Sequence, residues 1–237
     1  MFWWRNEVRP GVSVAFTDAD AGNLALHVGD NPDDVLNRRA QVEAAAGLGR
    51  RCFQYMDQVH GNAVEFIGSF GRGPTADAMV SAVTPSFAEV QPLSVMVADC
   101  VPVVLVGDNA DGTPVVAVAH AGRPGVASAV VPAAVVQMRH YGASNISAWL
   151  GPSICGACYE VPEQLRADVS ALVPAMWSST TWGTPALDLP AGVRAQLAEL
   201  DVTVEYSGEC TLENDSLFSY RRDSRTGRFA GLVWTHD

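Results

Sequence analysis

The fold is decided by one stretch of the sequence, LSVMVADCVPVVLVGDNADGTPVVAVAHAG at residues 93–122. Its three valine-rich runs, at residues 93–98, 101–106 and 114–119, are separated only by short breaks. Near-continuous runs of β-branched residues are typical of strands that are buried on both faces. We therefore predict an α/β fold in which other layers cover both faces of a sheet.

Further strands and helices are predicted on either side of this stretch. The strands fall at residues 12–16, 24–28, 52–55, 62–66, 146–150, 202–206 and 228–234. The helices fall at residues 32–46, from 122–125 to about 141, at 163–172 and at 191–199. Pro132 lies inside the second helix and must either sit near its first turns or kink it. No repeat or linker interrupts the pattern, which predicts a single domain over residues 1–237.

The composition limits the classes of partner. Of 237 residues, 48% are hydrophobic and 17% charged, which supports a large core and argues against extended disorder. The net charge of −11 argues against nucleic acid and anionic membranes as partners. The apolar start of the chain ends at Arg5, so no secretory signal is predicted. We expect a soluble protein that is not secreted, and the acidic composition fits a soluble cytoplasmic enzyme.

The chain has five cysteines, an odd number that predicts reduced thiols rather than a disulfide framework. Cys155-Gly156-Ala157-Cys158 forms a C-x-x-C motif. Two interpretations stay open, buried structural thiols or a redox or metal-binding pair. The lack of a second C-x-x-C motif favours structural thiols.

Three residues are the first candidates for a functional site. His60 and His120 each adjoin a strand-type run and a nearby glycine, and Cys100 lies between two buried runs. Two imidazoles and a thiolate form a zinc set with an open fourth position, where a bound water has a pKa of roughly 7. Two other interpretations remain: the histidines are hydrogen-bonded strand ends, or Cys100 is a nucleophile with His120 as its base.

Short segments along nearly the whole chain together resemble one family. They are LALHVGD (24–30) with Asn37-Arg38, QVHGNAV (58–64), TADAMV (75–80), ADCVPV (98–103), AHAG (119–122), LGPSICGACYEV (150–161) and residues 209–228 with FSYRRD. In this order they resemble the YfiH-like family, also called the laccase-domain or multicopper polyphenol oxidase family (DUF152). The resemblance implies a layered mixed-sheet α/β sandwich, related to the catalytic domain of cytotoxic necrotizing factors. It also implies zinc ligands at His60, Cys100 and His120.

The resemblance implies several activities. The leading hypothesis is a zinc-dependent purine nucleoside phosphorylase, acting on inosine or adenosine and phosphate, with adenosine deaminase side activity. The alternatives are a cysteine or zinc amidohydrolase that edits peptidoglycan precursors, and a non-enzymatic zinc-stabilised binding module. Copper-dependent polyphenol oxidation ranks last, because several copper centres need more histidines than the five present.

One motif departs from the family pattern. The usual His-Ala-Gly-Trp-Arg-Gly is here His120-Ala121-Gly122-Arg123-Pro124-Gly125, so an aromatic residue is lost and Arg123 can supply the guanidinium one position earlier. Phosphate requires an anion pocket. One candidate for this pocket is the N-terminus of the helix after Gly122. The other candidates are four arginines: Arg38, Arg123, Arg221 and Arg222. Arg38 is preferred among them because it lies in a matched motif.

Other residues near the matched motifs are candidates for proton transfer or substrate contact. Asp99 either carries a proton or orients a histidine, and Asp77 and Glu160 are further acid–base candidates. Tyr159 and Phe218 are candidates for stacking on a purine. Cys210 is a candidate for the wall of the cleft.

Overall fold

The computed structural model describes residues 1–236. Its strands are β1 (Phe2–Arg9), β2 (Val12–Thr17), β3 (Val64–Phe66), β4 (Ala78–Ala82), β5 (Leu93–Val97), β6 (Val101–Asp108), β7 (Pro114–Ala121), β8 (Ser144–Leu150), β9 (Trp177–Ser179), β10 (Pro185–Leu187), β11 (Thr203–Tyr206) and β12 (Phe229–Thr235). Its helices are α1 (Pro32–Ala46), α2 (Arg123–Ala127), α3 (Val130–His140), α4 (Glu163–Leu172) and α5 (Leu189–Ala198). Within residues 1–236, every helix is too short or too polar to cross a membrane.

The strands form two main sheets and a hairpin. The larger sheet has the order β11-β8-β6-β7-β4-β3, with parallel pairs at its two edges and antiparallel pairs inside. The smaller sheet has the order β1-β2-β12-β5 and is antiparallel. Strands β9 and β10 pair with each other. The valine-rich strands β6 and β7 lie in the middle of the larger sheet.

The two sheets pack face to face, and helices cover their outer faces. Val104 of β6 belongs to the buried cluster between the sheets, together with Val14 and Val95 of the smaller sheet. Val103, its neighbour along β6, faces the opposite way and packs in the cluster that contains α3 and α5. Trp234 on the far face of the smaller sheet shares a cluster with α1. The predicted layered mixed-sheet α/β sandwich is confirmed.

Three of the predicted strands are wrong or shorter than expected. Residues 24–28 form no strand, because the side chain of Asn23 accepts hydrogen bonds from the backbone N–H groups of Ala25 and Arg228 and so competes with strand pairing. Residues 52–55 contribute only the single bridge from Gln54 to Leu93. The strand predicted at residues 62–66 begins at Val64.

Some strands of the structure were not predicted from the sequence. The edge strand β1 and the buried strand β4 were not predicted. The helix predicted from residues 122–125 to 141 is two helices, α2 and α3, separated at Ala129, whose φ is +63°. In a continuous helix, the ring of Pro132 would collide with the carbonyl of Ser128, so the break falls one turn before the proline. Pro132 lies in the first turn of α3.

Candidate metal centre

Cys100 lies where the chain passes from one sheet to the other, between β5 and β6. The turn is tight, since Asp99 has a φ of +86°, which residues other than glycine rarely adopt. The carboxylate of Asp99 holds this turn in place. Its Oδ1 accepts a hydrogen bond from Thr211 Oγ1 at 2.6 Å, and its Oδ2 accepts one from the backbone N–H of Arg221 at 2.6 Å. The C-terminal segment thereby fixes Cys100 at the mouth between the sheets.

His120 lies near the end of β7, opposite Pro102 of β6, and is buried. Its Nδ1 lies 2.8 Å from Asp77 Oδ1, and its backbone N–H donates to the carbonyl of Asp77 at 2.8 Å. A carboxylate only accepts, so Nδ1 carries the hydrogen and Nε2 can bind a metal ion when the ring is neutral.

His60 is held by the same carboxylate. It lies in the loop before β3 with a φ of +60°. Asp77 Oδ1 accepts from the backbone N–H of His60 at 2.9 Å, and Oδ2 accepts from Gly61 at 2.6 Å and Val59 at 3.2 Å. The side chain of Asp77 is 0% exposed. One buried carboxylate therefore shapes the loop that carries one histidine and orients the ring of the other.

The structure brings the three predicted ligands together. Cys100 Sγ lies 3.9 Å from His60 Nε2, and the two imidazole rings meet edge to face with centroids 4.6 Å apart. One ligand atom from each residue lies within 4.8 Å of the others. A Cβ atom on Gly122 would lie 2.8 Å from the His60 ring and 3.1 Å from Cys100 Sγ, so glycine is needed here. Two imidazole nitrogens and a thiolate match the ligand preferences of zinc.

The charges of Cys100 and His120 support each other. Burial would raise the pKa of Cys100, but the His120 and His60 imidazoles outweigh it and lower the pKa to about 6. Burial would lower the pKa of His120, but the Cys100 thiolate and the Asp77 carboxylate raise it to about 9. Without metal, the pair is thus a thiolate and an imidazolium at neutral pH. The contribution of this ion pair to the free energy of unfolding is lost at both ends of the pH range. It is lost as the pH falls through about 6, where Cys100 is protonated, and as the pH rises through about 9, where His120 is deprotonated.

A cavity of about 710 Å³ opens beside these side chains, within the range of roughly 300–1,000 Å³ that is typical of small-molecule sites. Four of the other predicted site residues line it: Asp99, Arg123, Tyr159 and Arg221. Arg228 and Tyr220 also line the cavity, although the sequence did not indicate them as site residues. Arg228 is the last residue of the matched segment 209–228. From the sequence it was interpreted only as the first residue of a strand.

Other predicted residues have structural partners away from this cavity. Arg38 Nη1 pairs with Asp30 Oδ2 at 2.5 Å. The guanidinium of Arg222 donates to main-chain carbonyls, including that of Thr211 at 2.9 Å. Glu160 accepts from Trp182 Nε1 at 2.9 Å. The side chain of Phe218 packs in the cluster between the sheets.

Two further predictions are revised by the structure. The histidine-orienting carboxylate is that of Asp77, whereas the hydrogen bonds of Asp99 go to Thr211 and Arg221. The helix after Gly122 is α2, which has five residues, so its dipole is small. The positive charge of the cavity therefore comes mainly from arginine side chains.

The sequence as a whole matches a family described as "Multi-copper polyphenol oxidoreductase laccase" over residues 6–236. The chain belongs to this laccase-domain family. "Purine nucleoside phosphorylase ORF3" of Streptomyces griseus is 45% identical to it, over 93% of each chain. "Purine nucleoside phosphorylase YfiH" of Escherichia coli is 36% identical, over 93% of this chain and 89% of the relative. The predicted resemblance to YfiH-like proteins is confirmed.

A solved laccase-domain structure has the same fold. The crystal structure of Neisseria meningitidis protein NMB0706 (DUF152) matches with a TM-score of 0.81 at 31% identity, over 100% of this chain and 99% of that chain. Within residues 1–236, three or more metal-binding side chains gather at two places only. One contains two histidines and the other contains none.

The lowered pKa of Cys100 predicts an unusual reactivity profile. In metal-free protein, alkylation of Cys100 by iodoacetamide should have its midpoint at about pH 6, rather than at the ordinary thiol pKa of about 8.5. The variant His120→Ala should move the midpoint upward, because the imidazolium is lost. Mass spectrometry of the Cys100 peptide across a pH series measures both, with circular dichroism as a folding control. A wild-type midpoint near 8.5 would contradict the ion pair.

The role of Asp77 predicts a loss of metal affinity in Asp77→Asn. An amide offers one acceptor oxygen where the carboxylate serves four donors, so the His60 loop and the His120 ring both lose orientation. Zinc affinity, measured by competition with a chromophoric chelator, should fall by about 10–100-fold. The free energy of unfolding should fall by about 1–3 kcal/mol. Asp34→Asn, at an exposed position of α1, is the matched control, and equal affinity in both variants would refute the assignment.

Proposed function

We propose that this chain is a zinc-dependent purine nucleoside phosphorylase, which converts inosine or adenosine and phosphate into the free base and ribose 1-phosphate. The observation that carries the proposal is the convergence of Arg123, Arg221 and Arg228 on the cavity beside the His60–Cys100–His120 centre. The names of its curated relatives support an enzyme of this class. Its five free cysteines fit a reducing compartment, so we place the reaction in the cytoplasm.

Phosphate is the first ligand that the cavity suits. Within residues 1–236, no carboxylate forms an ion pair with any of the three arginines, although the whole chain carries a net charge of −11. Main-chain carbonyls position two of them, since Arg221 donates to Glu160 at 2.9 Å and Arg228 to Thr226 at 2.9 Å. Guanidinium groups bind phosphate by charge-assisted hydrogen bonds. The cavity is therefore a local positive exception on an acidic protein.

The nucleoside fits the less polar part of the cavity. Tyr159 and Tyr220 line it, with apolar neighbours that include Ile154 and Leu189. Aromatic rings offer faces on which a purine can stack. Arg123 replaces the tryptophan of the usual family motif and lies close to Tyr159. Burial raises the pKa of the Tyr159 phenol, and the positive charge of Arg123 opposes this rise. We infer that Arg123 serves phosphate and that Tyr159 serves the base or ribose.

The metal ion and the protein side chains would have different roles in the reaction. A zinc ion held by His60, Cys100 and His120 would add positive charge and Lewis acidity at the floor of the cavity. Asp77 positions the two histidines, and Asp99 positions Cys100 and Arg221. Because Asp99 accepts two hydrogen bonds of 2.6 Å, we assign it a positioning role rather than proton transfer.

The reaction balances without a further reagent. A phosphate oxygen bonds to C1′ of the ribose as the bond from C1′ to N9 breaks, and the electron pair of that bond stays on the base. The proton of hydrogen phosphate is transferred to the base. The arginines hold the phosphate next to C1′. This positioning accelerates the reaction, because the two reactants no longer have to meet by diffusion in the correct orientation. Deamination of adenosine, the proposed side activity, adds water at C6 and releases the amino group as ammonia.

The activity itself is the first test. Purified protein with one equivalent or more of zinc should release hypoxanthine from inosine only when phosphate is present, with ribose 1-phosphate formed in equal amount. Adenosine without phosphate should release ammonia slowly. Cys100→Ser and removal of metal by chelation should both abolish phosphorolysis. Absence of hypoxanthine release from zinc-loaded wild-type protein would refute the proposed function.

The arginines make a second, graded prediction. Arg123→Gln should raise the KM for phosphate by roughly 10-fold or more, because a charge-assisted hydrogen bond is lost. The KM for inosine should change less. Arg225→Gln is the matched control, since Arg225 is exposed and lies outside the cavity lining. Equal phosphate KM values in the two variants would remove Arg123 from the anion site.

A second candidate function has its own supporting observation. Cys100, His120 and Asp77 form a chain from a thiolate through an imidazole to a carboxylate, the arrangement that cysteine hydrolases use. This supports an amidohydrolase, with peptidoglycan precursors as the candidate substrates. Such an enzyme would stay active after chelation and would be inactivated by alkylation of Cys100. The two candidates therefore give opposite results in the presence of a chelator.

A further inference from the structure

A second group of metal-binding side chains lies outside the His60–Cys100–His120 centre. It consists of Cys155, Cys158, Cys210 and Glu213, whose ligand atoms all lie within 4.8 Å of one another. Cys158 and Cys210 are buried, Cys155 is half-buried and Glu213 is exposed. All three cysteines are free thiols. Folding therefore brings a third sulfur and a carboxylate, both from a distant segment of the chain, next to the C-x-x-C motif.

The four side chains come from two matching turns. The carbonyl of Cys155 accepts hydrogen bonds from the N–H groups of Cys158 and Tyr159, both at 3.0 Å. The carbonyl of Cys210 accepts in the same way from Glu213 at 3.2 Å and from Asn214 at 3.1 Å. Each turn thus presents a ligand at its first and fourth positions, as C-x-x-C and as C-x-x-E. The C-x-x-C spacing of the first turn is typical of structural zinc sites, and a carboxylate is a further ligand type that zinc accepts.

Main-chain hydrogen bonds join the two turns. The N–H of Ser153 donates to the carbonyl of Glu209 at 3.2 Å, and the N–H of Thr211 donates to the carbonyl of Ser153 at 3.1 Å. The N–H of Cys155 lies 3.5 Å from Cys210 Sγ, where it can donate to a thiolate. Such amide contacts orient thiolate ligands in metal sites.

Contacts from outside hold each turn in its shape. Ser178 Oγ donates to the carbonyl of Gly156 at 3.0 Å, and a Cβ atom on Gly156 would lie 2.7 Å from Asp188 Cβ. Arg222 Nη1 donates to the carbonyls of Thr211 at 2.9 Å and Leu212 at 3.2 Å. The ligand cluster is therefore supported by the fold on both sides.

We propose that Cys155, Cys158, Cys210 and Glu213 bind a second zinc ion, with a structural role. Three sulfurs and one carboxylate oxygen give four ligands of the types that zinc accepts in tetrahedral geometry. The carboxylate favours zinc over a softer ion such as Cu(I), for which three thiolates alone would be enough. This binding inference does not depend on the proposed nucleoside activity.

The second zinc ion would fasten the wall of the cavity. Ile154 and Tyr159, on either side of the first turn, line the cavity, and the N–H of Ile154 donates to the carbonyl of Asp99 at 2.9 Å. Thr211, next to Cys210, donates to the carboxylate of Asp99. The ion would thus clamp together two segments that both hold the turn carrying Cys100.

Metal counting on the full-length chain tests the proposal. Wild-type protein, reduced, loaded with zinc and then dialysed, should hold about two zinc ions per chain. The double variant His60→Ala/His120→Ala should keep about one, and adding Cys158→Ser to it should remove that one. Cys52→Ser, at a cysteine outside both groups, is the matched control and should keep two. A folded double variant that binds no zinc would overturn the proposal.

A milder variant covers the case in which Cys158→Ser does not fold. Glu213 is exposed, so Glu213→Gln should leave the fold intact and change only one ligand. In the double-variant background it should weaken zinc binding by at least about 10-fold, since even loss of an outer-shell partner costs about 10–100-fold. Cobalt substitution gives an independent readout, because sulfur-to-cobalt charge-transfer bands should persist in the double variant. Unchanged affinity in Glu213→Gln together with absent bands would refute the four-ligand site.

Discussion

The candidate metal centre depends on one buried carboxylate, that of Asp77. An ionised carboxylate without exposure to water is strongly destabilising unless donors surround it, and here three backbone N–H groups and the Nδ1 of His120 do so. The same contacts hold the His60 loop in its left-handed turn and leave Nε2 of His120 available as a metal ligand. The requirement to satisfy one charge therefore fixes two of the three ligands at once.

The third ligand depends on how the chain changes sheets. Strands β5 and β6 belong to different layers, so the turn between them opens at the edge of the sandwich, and Cys100 lies in that turn. The backbone strain at Asp99 is offset by its hydrogen bonds to Thr211 and Arg221, which come from the C-terminal part of the chain. Folding of that segment against Asp99 thus completes the site and brings Arg221 into the cavity. This closure also places the Cys155–Cys158 turn against Cys210.

Much of the fold and the centre of the site could be predicted from the sequence, for local reasons. The valine-rich runs are buried on both faces, and the cap at Asn31 with the glycine at Gly47 set the ends of α1. His60, Cys100 and His120 were recognisable from strand ends and motifs. The strand predicted at residues 24–28 was wrong because the side chain of Asn23 accepts hydrogen bonds from the backbone amides of Ala25 and Arg228, which strand pairing would need. Arg228 lies 205 residues further along the chain, so this contact could not be predicted locally. The ranking of the arginines was wrong, because membership of a matched motif does not determine which side chain reaches the cavity, and Arg38 pairs with Asp30 instead.

The sequence by itself determined the layered α/β class, the family and the three residues of the candidate metal centre, since periodicity, motif order and residue chemistry are local properties. Only the tertiary structure decided which polar residues act together. Asp77 rather than Asp99 orients a histidine, Arg228 rather than Arg38 lines the cavity, and the C-x-x-C motif meets Cys210. The physical reason is that hydrogen bonds and metal sites depend on distances of a few ångströms between segments far apart along the chain. Those distances are set by how the two sheets pack and where the chain crosses between them.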